Sequence, residues 1–428
     1  MSKFQIIVTA IFVVCLLTGV ALFATYKSSD TADTLPVITI WGTFPSSTFQ
    51  SYVQAINNTR QTQLTVNYIQ KDISNFDKDF IETLARGQGP DALLVPQEMV
   101  ARHADKLVII PSNVLTERDF KDTYISQAEI YWTNQGAAAI PFTIDPLVMY
   151  WNRDIFTNAG IAKPPVFWDE FSNLVEKINQ KDVNSNIRRS AIALGEFNNI
   201  SHAREILSTL FLQAGNPVTV RAEGIQSTLS SRSGGNKSSI PAVSFFAQFS
   251  NAQGKYYSWN RSLPTSKNWF LSGNLATYFG FASELSDIRL KNPNIDFDVA
   301  PLPQARGGKI RTTYGSMYGF SIVRTATDQL GTYNVFQILT APESLSLLTS
   351  IVYLPPVRRD MLATGSTDPY LSIFYDSALI SKSWLDTYPS KSSLIFQNMV
   401  ESITSGRADV NQAVDTASDS IDLYLHSQ

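Results

Sequence analysis

Residues 140–156 read IPFTIDPLVMYWNRDIF, and this stretch decides the fold. Its centre, residues 147–151, is a continuous apolar run with aromatic and β-branched side chains, which predicts a buried strand. Upstream, residues 37–41 predict another strand, and residues 46–57 carry apolar side chains at helical spacing. Downstream, residues 168–178 predict an amphipathic helix. Strands that alternate with helices in this way indicate an α/β fold with largely parallel strands.

The composition indicates a large globular protein with more than one folding unit. A chain of 428 residues exceeds one ordinary core and suggests about two or three units. Apolar residues make up 44% of the chain and charged residues only 17%, which favours a well-filled core over disorder. The formal net charge is -3 and the basic residues are spread thinly, so the sequence lacks the basic face that a nucleic acid partner requires.

The N-terminus predicts a membrane segment. Residues 6–26 carry no charged side chain, and about 20 apolar residues suffice to cross a bilayer as a helix. We therefore expect a transmembrane anchor within residues 1–27 and a polar linker over residues 28–36, with the globular part on the extracytoplasmic side of the cell membrane. A cleaved signal segment and a lipoprotein modified at Cys15 are the alternatives. Cys15 is the single cysteine, so no intrachain disulfide can form.

Several segments, in their order along the chain, resemble the motifs of extracellular solute-binding protein family 1. This family includes maltose- and other oligosaccharide-binding receptors of ATP-driven importers. The segments are GPDALLV (89–95), LVMYWNRDIF (147–156), AGI (159–161), PP (164–165), WDEF (168–171), FLSGNLATYF (270–279), FDVAPLP (297–303) and LPPVRRD (354–360). The similarity spans roughly residues 36–428.

The resemblance implies a two-lobed, type II periplasmic-binding-protein-like fold with an interlobe cleft that closes on a solute. We expect residues 37–144 with about 302–345 in one lobe, and residues 145–301 with about 346–428 in the other. The implied function is that of a receptor, expected to be monomeric, that delivers a small solute to the permease of an ABC-type importer. A sugar or oligosaccharide is the expected solute.

Asp145 is the first candidate for a ligand contact. It lies seven residues before Asn152, where sugar-binding relatives place a carboxylate that contacts ligand hydroxyls. A carboxylate accepts several directional hydrogen bonds, which suits a polyol. The alternative is a hinge residue that is bonded to nearby backbone.

Aromatic residues in loops near the strand ends complete the predicted site. The resemblance places the loop with Trp41, Thr43 and Phe44 at the ligand, and aromatic rings pack on the C–H faces of sugars. It places Tyr314 and Tyr318 near the interlobe crossing. A further candidate is Phe281, which lies in the segment 280–283 where relatives often carry Gly-Pro-Trp. For Trp41 the alternative is a place in the core.

The sequence contains no motif that is typical of an enzyme. There is no G-x-S-x-G elbow, the three histidines lie far apart without metal-ligand spacing, and Gly307-Gly308-Lys309 lacks the rest of a phosphate loop. We therefore expect no catalytic residues, no metal and no cofactor. Two alternative functions stay open: an anchored binding or sensor domain without transport, and a glycoside-acting enzyme that uses two carboxylates.

Overall fold

The computed structural model of the chain describes residues 35–221, 224–233 and 236–426. The predicted membrane anchor, residues 1–27, and most of the linker lie outside these described residues. Within the described ranges, no single helix is long and apolar enough to cross a membrane, although the helices Gln329–Leu339 and Pro342–Val352 together meet that requirement across a 61° bend.

Strands and helices alternate along the described chain. The strands are β1 Ile38–Gly42, β2 Val66–Gln70, β3 Ala92–Pro96, β4 Ile110–Pro111, β5 Trp132–Thr133, β6 Gly136–Ala137, β7 Ile140–Asn152, β8 Gln180–Lys181, β9 Ile187–Ile192, β10 Thr219–Arg221, β11 Ile225–Ser227, β12 Arg232–Ser233, β13 Asn236–Lys237, β14 Leu275–Phe281, β15 Phe297–Ala300, β16 Thr313–Ile322 and β17 Ser381–Lys382. The helices of the first half are α1 Ser46–Asn57, α2 Phe76–Ala85, α3 Gln97–Arg102, α4 Glu117–Thr123, α5 Arg153–Asn158, α6 Phe171–Ile178 and α7 Ala203–Gln213. Those of the second half are α8 Ser239–Ala247, α9 Ser266–Leu271, α10 Leu285–Lys291, α11 Gln329–Leu339, α12 Pro342–Val352, α13 Arg359–Ala363, α14 Pro369–Leu379, α15 Pro389–Thr404 and α16 Val410–His426.

The apolar patterns of the sequence explain the main elements. The predicted helix at 46–57 is confirmed as α1, which buries Phe49, Tyr52 and Ile56. The predicted strand at 147–151 is confirmed as the second half of β7. The predicted helix at 168–178 begins with a short 3-10 segment and continues as α6.

The main sheet runs in the order β2-β1-β3-β16-β7-β14-β9-β8, with β15 beside β7 and β17 beside β16. β1 pairs in parallel with β2 and β3, as predicted for an α/β unit. β16 and β7 run antiparallel to each other in the middle of this order. These two long strands therefore connect the two ends of the sheet.

The apolar side chains form two separate cores, one for each lobe. The first core includes Ile40, Phe49, Leu94, Phe142, Phe320 and Phe336. The second core includes Tyr150, Trp168, Phe211, Trp259, Phe279 and Phe396. Two cores of this size agree with the two-lobed α/β fold that the sequence predicts.

The chain passes between the cores at β7, at β16 and around β17. The residues that flank these passages are Ile144 and Leu147, Tyr314 and Met317, and Ala378 and Trp384. Strands β7 and β16 are thus shared by both lobes. They are the structural candidates for a hinge.

The predicted lobe ranges remain a prediction, and core membership in the second half of the chain does not follow them. Leu302 and Tyr314 belong to the second core, whereas Leu348 and Val357 belong to the first. The reason is that the return passage falls inside β16: the amide of Tyr314 donates to Thr209 of α7, while the far end of the strand pairs with β3.

Candidate ligand cleft

The register of β7 and β16 brings predicted residues to one face at the passage between the lobes. Asp145 lies opposite Ser316, and Thr143 lies opposite Tyr318. Because side chains that face each other across two paired strands share a face, Asp145 and Tyr318 point to the same side, and Tyr314 follows at the next alternate position. Asp145 and both tyrosines therefore belong to one surface, and their contact with a ligand remains a prediction.

The two prolines of this strand face glycines. Pro146 pairs with Gly315, and Pro141 pairs with Gly319. A Cβ on Gly315 would lie 2.8 Å from Ile144, and one on Gly319 would lie 2.9 Å from the ring of Tyr131. Gly315 and Gly319, each directly after one of the two tyrosines, thus allow close packing behind the face that carries the tyrosine rings.

The first lobe contributes an aromatic wall. The ring of Phe44 lies edge-on to Tyr318, with 5.5 Å between centroids. The hydroxyl of Thr43 donates to that of Tyr318 at 3.4 Å, and both side chains are partly exposed. The hydroxyl of Tyr68 donates to the carbonyl of Phe44 at 2.7 Å and holds this loop in place.

Trp41 lies apart from this wall. It is the fourth residue of β1, it is 8% exposed, and it belongs to the first core. The ammonium of Lys71 lies 3.8 Å from the centre of its ring. Its predicted contact with a ligand remains a prediction, and this placement agrees with the alternative that it completes the core.

The second lobe contributes Phe281 and Tyr314. Phe281 ends β14 opposite Leu147, two positions along β7 from Asp145. Its partly exposed ring lies edge-on to His202 at 4.9 Å and faces Tyr314 at 6.4 Å. The ring of Phe281 therefore lies on the same side as Asp145.

The electrostatic surroundings of Asp145 are unusual for an acid. The amide of Ser283 donates to its Oδ1 at 3.0 Å. Burial raises the pKa of Asp145 to about 6, an effect that the hydrogen bonds from Ser283 oppose and the charge of Glu284 strengthens. Among the described residues, no basic side chain forms an ion pair with Asp145. Its carboxylate therefore keeps capacity for further hydrogen-bond donors.

Glu98 is a cleft residue that the sequence analysis missed. It is the second residue of α3, directly after β3. Burial raises its pKa, while the second-lobe residues Arg204 and Asp386 also act on its charge. Glu98 thus faces the second lobe from the first. Its place at the carboxyl end of a parallel strand was a usable signal, since ligands bind at that end of α/β sheets.

A cluster of buried charged side chains lies behind Tyr314 in the second lobe. The sequence analysis did not predict this cluster. Arg204, 5% exposed, forms an ion pair with Asp386 and donates to Glu205 Oε1 at 2.8 Å and to the hydroxyl of Tyr314 at 3.3 Å. The hydroxyl of Tyr424 donates to Asp386 at 3.0 Å. The large separation along the chain left no local signal for this cluster. Through Arg204 it orients the ring of Tyr314.

Glu284 is held by a second set of charges next to Phe281. It accepts from His202 Nε2 at 2.7 Å and from the Phe281 amide at 2.9 Å, and Lys267 lies 2.5 Å away. Burial opposes its charge, but His202 and Lys267 lower the pKa of Glu284 to about 2. Burial likewise opposes the charge of His202, yet Glu284 raises its pKa. These contacts position Phe281.

A cavity within the second lobe is less suited to a polar solute. A cavity of about 430 Å³ in the second lobe is lined mainly by apolar side chains, among them Trp168, Leu210 and Phe245. Within the described ranges, no group of three or more His, Cys, Asp or Glu side chains is arranged to hold a metal ion. The shared face of β7 and β16 remains the best candidate site.

Comparisons with known proteins agree with this architecture. A family model described as bacterial extracellular solute-binding protein matches residues 51–371. A comparison with curated protein sequences finds no match. Among solved structures, a cyclo/maltodextrin-binding protein complexed with maltotetraose is 15% identical, covers 92% of this chain and 98% of its own, and has a TM-score of 0.73.

Two further structures show the same fold. The cyclic alpha-maltosyl-1,6-maltose binding protein from Arthrobacter globiformis is 16% identical, with 92% and 100% of the two chains covered and a TM-score of 0.73. The GacH receptor of Streptomyces glaucescens, studied with acarbose, is 16% identical, with 91% and 98% covered and a TM-score of 0.67. Since the family model covers most of the sequence, the chain belongs to the bacterial extracellular solute-binding proteins.

Proposed function

We propose that the chain is a carbohydrate receptor that binds a sugar or oligosaccharide between its lobes and delivers it to an ABC-type importer. The observation that carries the proposal is the combination, at the passage between the lobes, of partly exposed aromatic rings with the carboxylate of Asp145, which forms no ion pair among the described residues. Tyr318 and Phe281 offer partly exposed rings to the C–H faces of a sugar, and the buried ring of Phe44 packs against Tyr318. Asp145 and Glu98 offer acceptors to its hydroxyl groups.

The names of the structural neighbours support a carbohydrate. They were solved with, or are named after, maltotetraose, acarbose and a cyclic maltose derivative. Membership of a family of binding proteins supports binding without chemical conversion and an extracytoplasmic location of the globular part. Binding without chemical conversion and the extracytoplasmic location are therefore both part of the proposal for this chain.

The arrangement of the walls supports closure on the solute. Thr43 and Phe44 stand on the first lobe, Phe281 stands on the second, and Asp145 lies on a strand shared by both. A solute that contacts both walls favours the arrangement in which they are near each other. The strands β7 and β16 would then act as the hinge.

The remaining partners follow from the same role. A permease would receive the solute from the closed receptor, and a monomer is expected. Residues 1–27 would keep the receptor at the cell membrane, and N-terminal sequencing of the native protein tests this: a start near Thr25, or a lipid on Cys15, would contradict it.

A ligand screen on the purified full chain tests the proposal. We expect maltooligosaccharides or related sugars to raise the thermal stability, because a ligand at 100 times its dissociation constant adds about 2.7 kcal/mol. Amino acids and polyamines serve as the comparison set. The bound sugar should be recovered chemically intact. The sugar-loaded receptor should stimulate transport by a reconstituted cognate permease.

Paired variants link that binding to the cleft. Phe281→Ala should weaken sugar binding, whereas Phe245→Ala, which removes a ring from the second-lobe cavity, should leave affinity unchanged at a temperature where both variants are folded. Stabilisation by amino acids or polyamines alone would contradict the proposal. So would a sugar affinity that Phe281→Ala leaves intact.

A further inference from the structure

Arg102, the last residue of α3, reaches from the first lobe to the second. Its Nε donates to the carbonyl of Thr387 at 2.8 Å, and its guanidinium carbon lies 4.2 Å from the centre of the Tyr388 ring. The Arg102 side chain is only 14% exposed. A charged hydrogen bond and a cation–π contact are both stronger when they are shielded from water.

Each end of this contact is fixed within its own lobe. In the first lobe, Asp77 of α2 accepts from Arg102 Nη1 at 2.5 Å and is hydrogen-bonded to the buried His103 at 2.8 Å. In the second lobe, Asp386 directly precedes Thr387 and accepts from the Tyr388 amide at 3.0 Å. Arg102 thus joins parts that are held by hydrogen bonds within different lobes, so a change in the angle between the lobes would alter this contact.

The contact lies outward from the passage between the lobes. At the passage itself, Gln127 donates to Gln97 Oε1 at 2.7 Å and to Ser383 Oγ at 2.5 Å. Arg102 lies five residues after Gln97, or about 7.5 Å further along the helix. Thr387 lies four residues after Ser383. The helix and the segment 383–388 therefore leave the passage side by side, and a hinge rotation separates them most at their outer ends.

The helix α3 also faces the proposed ligand site. Glu98 lies on the same helix, and the charges of the second-lobe residues Arg204 and Asp386 influence its pKa. Asp386 is the neighbour of Thr387 along the chain. The contact of Arg102 thus lies on the side where the two walls of the cleft approach each other.

We propose that Arg102 is an interlobe latch: supported by Asp77, it binds Thr387 and Tyr388 when the lobes are closed, and it slows the release of the solute without touching it. The latch rests on the proposed function for the solute that drives closure. It makes Arg102 a positioning residue, because it acts on affinity through the population of the closed state.

The test uses the full chain with Arg102→Met, which keeps the aliphatic stem and removes the hydrogen bond and the charge. Arg86→Met is the matched control, because Arg86 is exposed and pairs only at 3.7 Å with Glu82 near the end of α2. In a Cys15→Ser background, spin labels at Arg60→Cys in the first lobe and Gln253→Cys in the second report the interlobe distance. Stopped-flow tryptophan fluorescence reports sugar association and release.

We expect Arg102→Met to raise the release rate roughly three- to tenfold, with little change in the association rate. The label distances of the variant should shift towards the open arrangement, and Tyr388→Ala should shift them in the same direction. Arg86→Met should match the parent chain in both measurements.

Unchanged release and unchanged distances in Arg102→Met would overturn the latch, as would a shift towards the closed arrangement. A loss of melting temperature alone, with binding kinetics preserved, would assign Arg102 to fold stability and also overturn it. If no sugar binds at all, the proposed function fails, while the distance comparison without ligand still decides the latch.

Discussion

Asp145 and Glu284 each accept a hydrogen bond from a backbone amide of the short segment 281–284, but the charges around the two carboxylates differ. Asp145 accepts from the Ser283 amide and has no cationic partner among the described residues. Glu284 accepts from the Phe281 amide and is neutralised by His202 and Lys267. Burial raises the pKa of Asp145 to about 6, whereas the cations, acting against burial, lower that of Glu284 to about 2.

This difference suits Asp145 to ligand binding and Glu284 to stabilising the fold. The lone pairs of Glu284 are occupied by His202, Lys267, the Phe281 amide and the hydroxyl of Tyr278. A solute could reach it only by displacing these partners. Asp145 keeps acceptor capacity in a desolvated place, where a hydrogen bond from a ligand is stronger than in water.

The largest effect is expected for Glu284→Gln. This change removes the ion-pair partner of His202 and one of the two partners of Lys267, and breaking a buried ion pair costs about 3 kcal/mol of unfolding free energy. Urea unfolding measures it. Asp287→Asn is the control, because Asp287 also binds Lys267, at 2.8 Å, but is 38% exposed. Equal stability of the two variants would contradict the structural role of Glu284, because it would then contribute no more to the fold than the more exposed Asp287.

An intermediate effect is expected for Asp145→Asn. The change keeps the shape but removes the charge and one acceptor, and a charged hydrogen bond contributes about 1.5 to 3 kcal/mol, so sugar affinity should fall about tenfold or more. Unfolding free energy should hardly decrease, because a desolvated charge is removed as well.

Calorimetry and urea unfolding separate this outcome from a structural role. Asp91→Asn is the matched control, since Asp91 accepts from the Thr39 amide at 2.8 Å in the first lobe, away from the shared face. It should lower stability and preserve affinity. If Asp145→Asn behaved in that way instead, Asp145 would be a hinge residue.

How much of this could be predicted depends on how local the signal is. The alternation of strands and helices is a local pattern that predicted the α/β fold, and the position of Asp145 before an apolar strand is a local pattern that made it a candidate for the ligand contact. The full length of β7 was not predicted, because Pro141 and Pro146 interrupt its pattern. Only the pairing of each proline with a glycine of β16 shows how the strand continues through them.

The charged part of the site depends on contacts that no local pattern encodes. Arg204 and Asp386 meet only after the chain has passed between the lobes. Trp41 looked suitable for the cleft because it ends a strand beside a loop. In the structure the consecutive residues Ile40 and Trp41 of β1 are both buried, so both faces of this strand are covered, and Lys71 lies over the Trp41 ring. Glu98 was within reach of sequence reasoning, as it is the second residue after the apolar strand β3.

The smallest effect is a pH dependence that has opposite signs for the two acids. Because the pKa of Glu284 in the folded protein lies below that of an unfolded chain, its contribution to stability is complete above about 4.3 and is lost as the pH falls towards about 2. The pKa of Asp145 is raised instead, so the ligand-free protein gains nothing from its charge and loses stability as the pH rises from about 4 to about 6.

For sugar binding, the raised pKa of Asp145 predicts a weak dependence near neutrality. If hydroxyl groups donate to the ionised form, only that form binds well, and affinity at pH 6 should be about half of that at pH 8, with a proton released on binding. Titration calorimetry in buffers of different ionisation enthalpy detects this proton. Glu284 stays ionised throughout this range, and His202 faces it with a raised pKa, so its titration is the competing source. Asp145→Asn distinguishes the two, because it should abolish the proton release; release that persists in this variant would assign the dependence to His202 and remove Asp145 from the hydrogen bonds to the solute.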